Sequence, residues 1–174
     1  MTRARWWLLG AAAAVGVVAV VLMTDKTLNF NGSPKVRQRL RATGVHPRML
    51  AFLDWWEAFG PFPLTVGWKG GLRTDPDEQW QLFRDGKTRA ATLDQTPHGR
   101  GGALDLYPTI NGTVRGLEGD PNPAEAAYYF EEMGRLAEGQ GLVWGGRFSS
   151  IKDMPHVELP DWRSIPYPPN WSNA

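Results

Sequence analysis

Residues 96–105 read Thr-Pro-His-Gly-Arg-Gly-Gly-Ala-Leu-Asp, a Gly-rich loop that runs into an alternating apolar segment. Side chains on a strand repeat every two residues, so Ala103, Asp105 and Tyr107 share one face. A carboxylate on an apolar strand is costly unless a partner offsets its desolvation, and a cation would serve. Gly101, Gly102 and Ala103 are small enough for the loop to fold back and bring His98 beside Asp105. Residues 152–159, Lys-Asp-Met-Pro-His-Val-Glu-Leu, predict a second short strand entered by His156, with Glu158 on the same face. The third of the three histidines, His46, precedes Pro47 and reads as a solvated helix cap. Taken singly, each His or Asp is explained as well by surface hydrogen bonding as by metal ligation.

Outward from this stretch the pattern is mixed. Helices are expected over 34–43 and 47–59, the second carrying Met49, Leu50, Phe52, Leu53 and Trp56 at helical spacing. Phe62, Leu64, Val66 and Trp68 alternate as in a half-buried strand. Asp75, Pro76 and Glu78 make a helix start, with Glu78 in the reciprocal capping position and Gly86 as the stop. Short strands follow at 103–107 and 113–115 around an Asn111-Gly112 turn, then a helix from Pro123 to about Glu138, then strands near 142–144 and 156–159. Helices alternating irregularly with short hairpin-linked strands give an α+β domain, a small antiparallel sheet with helices packed against it.

Composition narrows the function classes. The chain has 174 residues, and 42% of them are hydrophobic, including nine Trp and seven Phe, enough for one real core. With 19 Lys and Arg against 18 Asp and Glu, a net charge of +1 offers no electrostatic case for a nucleic-acid partner. Cysteine is absent, so a metal site must use His and carboxylates. At the amino terminus, Arg3 and Arg5 precede an uncharged run from Trp6 to Met23. Its 18 residues are near the lower limit for crossing a bilayer. The expectation is a single-pass transmembrane anchor over 1–23 with a cytoplasmic amino terminus and an exported domain. A cleaved secretory signal is the alternative. Residues 24–33 then form a tether, 34–165 the domain, and 166–174 an extended Pro-rich tail.

In combination the motifs say more. Thr96-x-His98-x-x-Gly101-x-Ala103-x-Asp105, followed by Trp144-Gly-Gly and Asp153-x-x-His156, resembles the zinc D-alanyl-D-alanine carboxypeptidase and L-alanyl-D-glutamate endopeptidase family. That family includes phage endolysins and vancomycin-resistance peptidases and shares its fold with the hedgehog signalling domain. The upstream Gly71-Leu72-Arg73-Thr74, with Glu78-Gln79, is similar to the family's arginine motif before its helix.

The resemblance implies one zinc ion per chain, held by His98, Asp105 and His156 with a fourth position open, as catalytic zinc requires. It further implies Asp153 as general base, Arg73 as the group that steadies the carbonyl oxygen, and Thr96 and Trp144 at the substrate. Glu158 is read as the support of a ligand and is also the rival base. The implied substrate is a peptidoglycan stem peptide or cross-link, cut by a D,D-carboxypeptidase or an L-Ala-D-Glu endopeptidase; a non-catalytic zinc- or wall-binding module is the alternative. Three positions depart from the family pattern: Gly70 where many relatives have Ser, and Arg147 and Phe148 where relatives have Asp and Trp.

Overall fold

A computed structural model describes residues 42, 44–67 and 69–169. The apolar run at 6–23, the tether, the body of the helix expected at 34–43 and the last residues of the tail lie outside the described residues. Among the described residues, no helix is long and apolar enough to cross a membrane.

Helix α1 (Pro47–Phe59) begins where proline's fixed φ suits the first turn. His46 caps it, its Nδ1 accepting from the Arg48 N–H at 3.1 Å. Met49, Phe52, Leu53 and Trp56 form its buried stripe. Helix α2 (Pro76–Arg84) is capped by Asp75, which accepts from the N–H groups of Asp77 and Glu78. Glu78 does not return the bond as expected and pairs instead with Lys69. Gly86, at φ +70°, follows the end of α2 in a backbone region that glycine enters without a Cβ penalty. Helix α3 (Pro123–Gly139), capped by Asn122, buries Ala126, Phe130, Met133 and Ala137.

The sheet is antiparallel throughout. Strands β1 (Leu64–Val66), β2 (Ala103–Ile110), β5 (His156–Glu158) and β4 (Val143–Trp144) lie side by side in the order β1-β2-β5-β4, and β3 (Thr113–Val114) pairs with the far end of β2. Strand β2 runs three residues past the expected Tyr107 and turns through Asn111 and Gly112, both at positive φ. The half-buried alternation expected for β1 is not found. All three of its residues are buried, because the Thr65 hydroxyl pairs with that of Thr109 at 2.8 Å and that face is covered as well. One core joins α1, α3, the sheet and the segment after it, with Trp162 and Ile165 buried in the same cluster. Each large apolar side chain so buried stabilises the fold by about 1.5–3 kcal/mol.

Two registers position the site. In the β2/β5 ladder Asp105 stands directly opposite His156, and Ala103 opposite Glu158. Opposed residues of an antiparallel pair project to the same face, roughly 5 Å apart. Beyond β1 the ladder continues irregularly, with Gly67 N–H bonding to the Asp105 carbonyl and Asp105 N–H to the Gly70 carbonyl, each at 2.8 Å. A Cβ on residue 70 would stand 2.8 Å from that Asp105 oxygen and 2.9 Å from the Asp105 Cβ, which accounts for glycine at this departure from the family pattern.

Candidate metal centre

His98 comes from the Gly-rich loop before β2. The loop is drawn tight by the Thr96 hydroxyl, which donates to the Leu93 carbonyl at 3.0 Å and accepts from the Gly99 N–H at 2.7 Å. Gly99 lies against the same turn; a Cβ there would fall 2.0 Å from the Leu93 oxygen. The His98 carbonyl takes the Arg73 N–H at 3.1 Å, so the arginine segment and the histidine loop are stitched together.

The result is a cluster of three donor atoms. His98 Nε2 lies 3.1 Å from Asp105 Oδ1 and 3.2 Å from His156 Nδ1, and His156 Nδ1 lies 3.3 Å from Asp105 Oδ1. Both imidazoles are buried. Their outer nitrogens face groups that only accept: His98 Nδ1 is 3.1 Å from the Gly71 carbonyl, and His156 Nε2 is 3.0 Å from Glu158 Oε2. When both rings are neutral, each outer nitrogen carries the hydrogen and the two inner nitrogens present lone pairs. Two lone pairs and a carboxylate then converge with no donor between them, an arrangement that needs a cation. Tetrahedral bonds of about 2.0–2.2 Å would set neighbouring ligand atoms about 3.3–3.5 Å apart. The observed separations match closely enough that these residues fit a metal of zinc's kind.

Without a metal a proton fills the gap. Burial opposes charge on His156, but hydrogen bonds to Asp105 and Glu158, with the charges of Asp105 and Asp153, raise its pKa to about 9. Burial pushes the Asp105 carboxyl up, yet His98 and the hydrogen bonds from His156 and His98 outweigh it and hold Asp105 well below the usual carboxylate range.

The cluster lies in a cleft of about 420 Å³ that Arg73, Asp153, Glu158 and Phe148 also line. Asp153 is solvent-exposed. Even so, the desolvation it does suffer and then the charge of Asp105 raise its carboxyl, against the opposing pull of His156, His98 and Arg73. The Asp153 N–H bonds to the Gly145 carbonyl at 3.1 Å, and the Asp153 carbonyl accepts from the His156 N–H at 3.2 Å. Gly145 has no room for a side chain, since a Cβ would meet the Asp153 oxygen at 2.4 Å.

Of the residues expected at the substrate, Thr96 lines the cleft but is buried, its hydroxyl committed within its own loop. Trp144 is corrected: it is fully buried, flat against Gly134 of α3, with Nε1 donating to the Met154 carbonyl at 2.7 Å. It holds the segment that carries Asp153 and His156 and cannot touch a substrate. Phe148 does line the cleft, its ring centre 5.8 Å from that of His156, whereas Arg147 turns toward Glu131 and Glu138 of α3. Gln79, which the sequence offered only as part of the arginine motif, is the single fully buried residue of α2, and sequence reasoning missed its bond to Arg73.

Residues 89–159 match the family described as D-alanyl-D-alanine carboxypeptidase. The fold resembles the crystal structure of Serratia marcescens L-Ala D-Glu endopeptidase ChiX, with a TM-score of 0.56 and 23% identity over 75% of this chain and 92% of that one. No curated protein sequence matches the chain. Residues 89–159 are thus similar to a peptidase family, and the chain shares the fold of a solved endopeptidase.

Proposed function

We propose that the protein is a zinc-dependent peptidase that hydrolyses peptide bonds in the stem peptides or cross-links of peptidoglycan, for wall remodelling or phage lysis, with His98, Asp105 and His156 as the metal ligands. The observation that carries this reading is the convergence of His98, Asp105 and His156, whose possible ligand atoms all lie within 4.8 Å of one another, in an open cleft beside an exposed carboxylate and an arginine.

When bound, zinc supplies Lewis acidity that polarises a carbonyl and acidifies water. The chain's own groups do the rest. Asp153 faces the cleft with a carboxyl more basic than usual, suited to accept the proton of the attacking water and return it to the leaving amine. Arg73 offers its guanidinium to the oxygen of the scissile carbonyl as charge builds there. Glu158 fixes the His156 ring from behind, which keeps Nδ1 turned inward. Lys87, Arg89 and Arg163 on the cleft rim suit a substrate bearing carboxylates, as stem peptides do. The run from Trp6 to Met23 anchors this domain at the outer side of a membrane in the same reading; fractionation that finds a soluble product starting near residue 25 would remove the anchor.

The test is hydrolysis of purified peptidoglycan with and without a chelator, the released fragments identified by mass spectrometry. Chelator-sensitive release of stem-peptide fragments is expected, and restoration by added zinc. Release that survives metal removal, or no release by metal-loaded protein, overturns the reading.

A further inference from the structure

The one buried polar residue of α2 is not explained by ligation or proton transfer. A surface helix ordinarily docks through an apolar stripe. Here Trp80 and Phe83 are 50% and 38% exposed, and the single fully buried side chain is the amide of Gln79. Its oxygen accepts from Arg73 Nη1 at 2.9 Å, and its nitrogen donates to the Ala90 carbonyl at 2.6 Å. Arginine can only donate and a carbonyl can only accept, so the two partners fix which way the amide lies. Arg73 and Ala90 both line the cleft, on segments separated by the whole of α2. The amide therefore ties two parts of the cleft wall together from behind.

Arg73 is otherwise lightly held. Its Nε is buried without a hydrogen-bond partner, and its backbone N–H is spent on the His98 carbonyl. Gln79 is the side chain that fixes one end of the guanidinium, and the remaining N–H groups are left for whatever enters the cleft. A neutral partner is the significant choice. A carboxylate at position 79 would hold the guanidinium as firmly but would cancel the charge that a developing oxyanion needs, whereas an amide orients that charge without quenching it.

We propose that Gln79 is a positioning residue for the reaction, holding Arg73 Nη1 so that the guanidinium is set in the cleft before substrate arrives. The proposal rests on the role given to Arg73 above. It predicts an effect carried wholly through Arg73, which separates it from simple structural support of the helix.

The experiment uses the full chain, zinc-loaded, and compares Gln79→Met and Gln79→Glu in the native and Arg73→Ala backgrounds. Thermal midpoint and zinc content are measured alongside. Gln79→Met keeps the length of the side chain and removes both bonds. It should lower kcat by about 10- to 10²-fold, part of the loss expected for an oxyanion donor, with zinc content unchanged. In the Arg73→Ala background the same change should cost less than about twofold, because residues that act through one another are not additive. The Arg73 Nε–H signal in the NMR spectrum should be slow to exchange in the native protein and in Gln79→Glu, and lost or averaged in Gln79→Met. Gln79→Glu should thus keep Arg73 ordered yet remain slower than the native enzyme. Equal fold losses in both backgrounds, or an Arg73 signal indifferent to Gln79→Met, overturn the proposal. Native turnover in Arg73→Ala would instead sink the role of Arg73, a result legible apart from the NMR outcome.

Discussion

Two clusters of charged and polar side chains lie in this domain, and they are built on opposite plans. Around Arg115 opposite charges are already paired: its guanidinium pairs with Glu125 and lies 3.5 Å from Asp120, whose other oxygen takes the Asn122 N–H at 2.8 Å. Around His98, Asp105 and His156 every inward atom is an acceptor when the rings are neutral. The first cluster contains its own cation and serves to fix the loop before α3, although Arg115 Nε is left without a hydrogen-bond partner. The second has no cation of its own when its rings are neutral, which distinguishes an internally paired cluster from one that could take a metal.

The comparison breaks most visibly at the metal ligands. His98→Ala should bind no zinc at stoichiometry and lose hydrolysis altogether; a full complement of metal in that variant, measured by elemental analysis, would mean that the acceptors converge for some other reason. Next in size, Asp153→Ala should retain its zinc and its thermal midpoint while turnover falls by roughly 10²- to 10⁴-fold, the range of a general base. Should Asp153→Ala stay active and Glu158→Ala lose all hydrolysis with zinc still bound, the base is Glu158. At the Arg115 cluster the signs reverse. Arg115→Met leaves the buried Asp120 without its countercharge and should destabilise the fold by about 3 kcal/mol in denaturant titration, with hydrolysis per folded molecule unchanged.

The smallest effect is one of pH and concerns the metal-free protein. His156 has its pKa raised to about 9 in the fold, against about 6.5 unfolded. Its stabilising contribution is therefore complete below pH 6.5 and is lost as pH climbs toward 9, by at most about 1.4 kcal/mol per unit. Zinc should invert this trend, because binding displaces the proton and is favoured as pH rises. Parallel pH profiles with and without zinc would show that no proton and metal compete for the cluster.

How much of this was readable beforehand follows from the range of the contacts. Period-2 spacing placed Asp105 on its strand and Glu158 beside His156, and the cap at Asp75 and the first-turn proline at Pro47 marked two helix starts, since all of these are decided within a few residues. The packing of Trp144 on Gly134 is not decided locally: a tryptophan beside Gly-Gly reads equally as a substrate platform or a buried wedge, and only α3 settles which. Thr65 was expected on a wet face because its partner, Thr109, lies 44 residues away. Gln79 belonged to the resemblance of the arginine stretch, but in a polar helix start nothing in its neighbours distinguishes a solvated amide from one that clasps Arg73.

The bond from the Asp153 N–H to the Gly145 carbonyl has a consequence for what the loop it closes can tolerate. It pinches shut the stem of a loop whose tip, Ser149 and Ser150, is exposed. With Trp144 gripping Met154 from below, the catalytic end of the loop is clamped independently of its tip. Lengthening a closed flexible loop costs only about 0.6 kcal/mol per doubling. A longer or altered tip next to Phe148 would therefore cost little stability and leave Asp153 and His156 in their places.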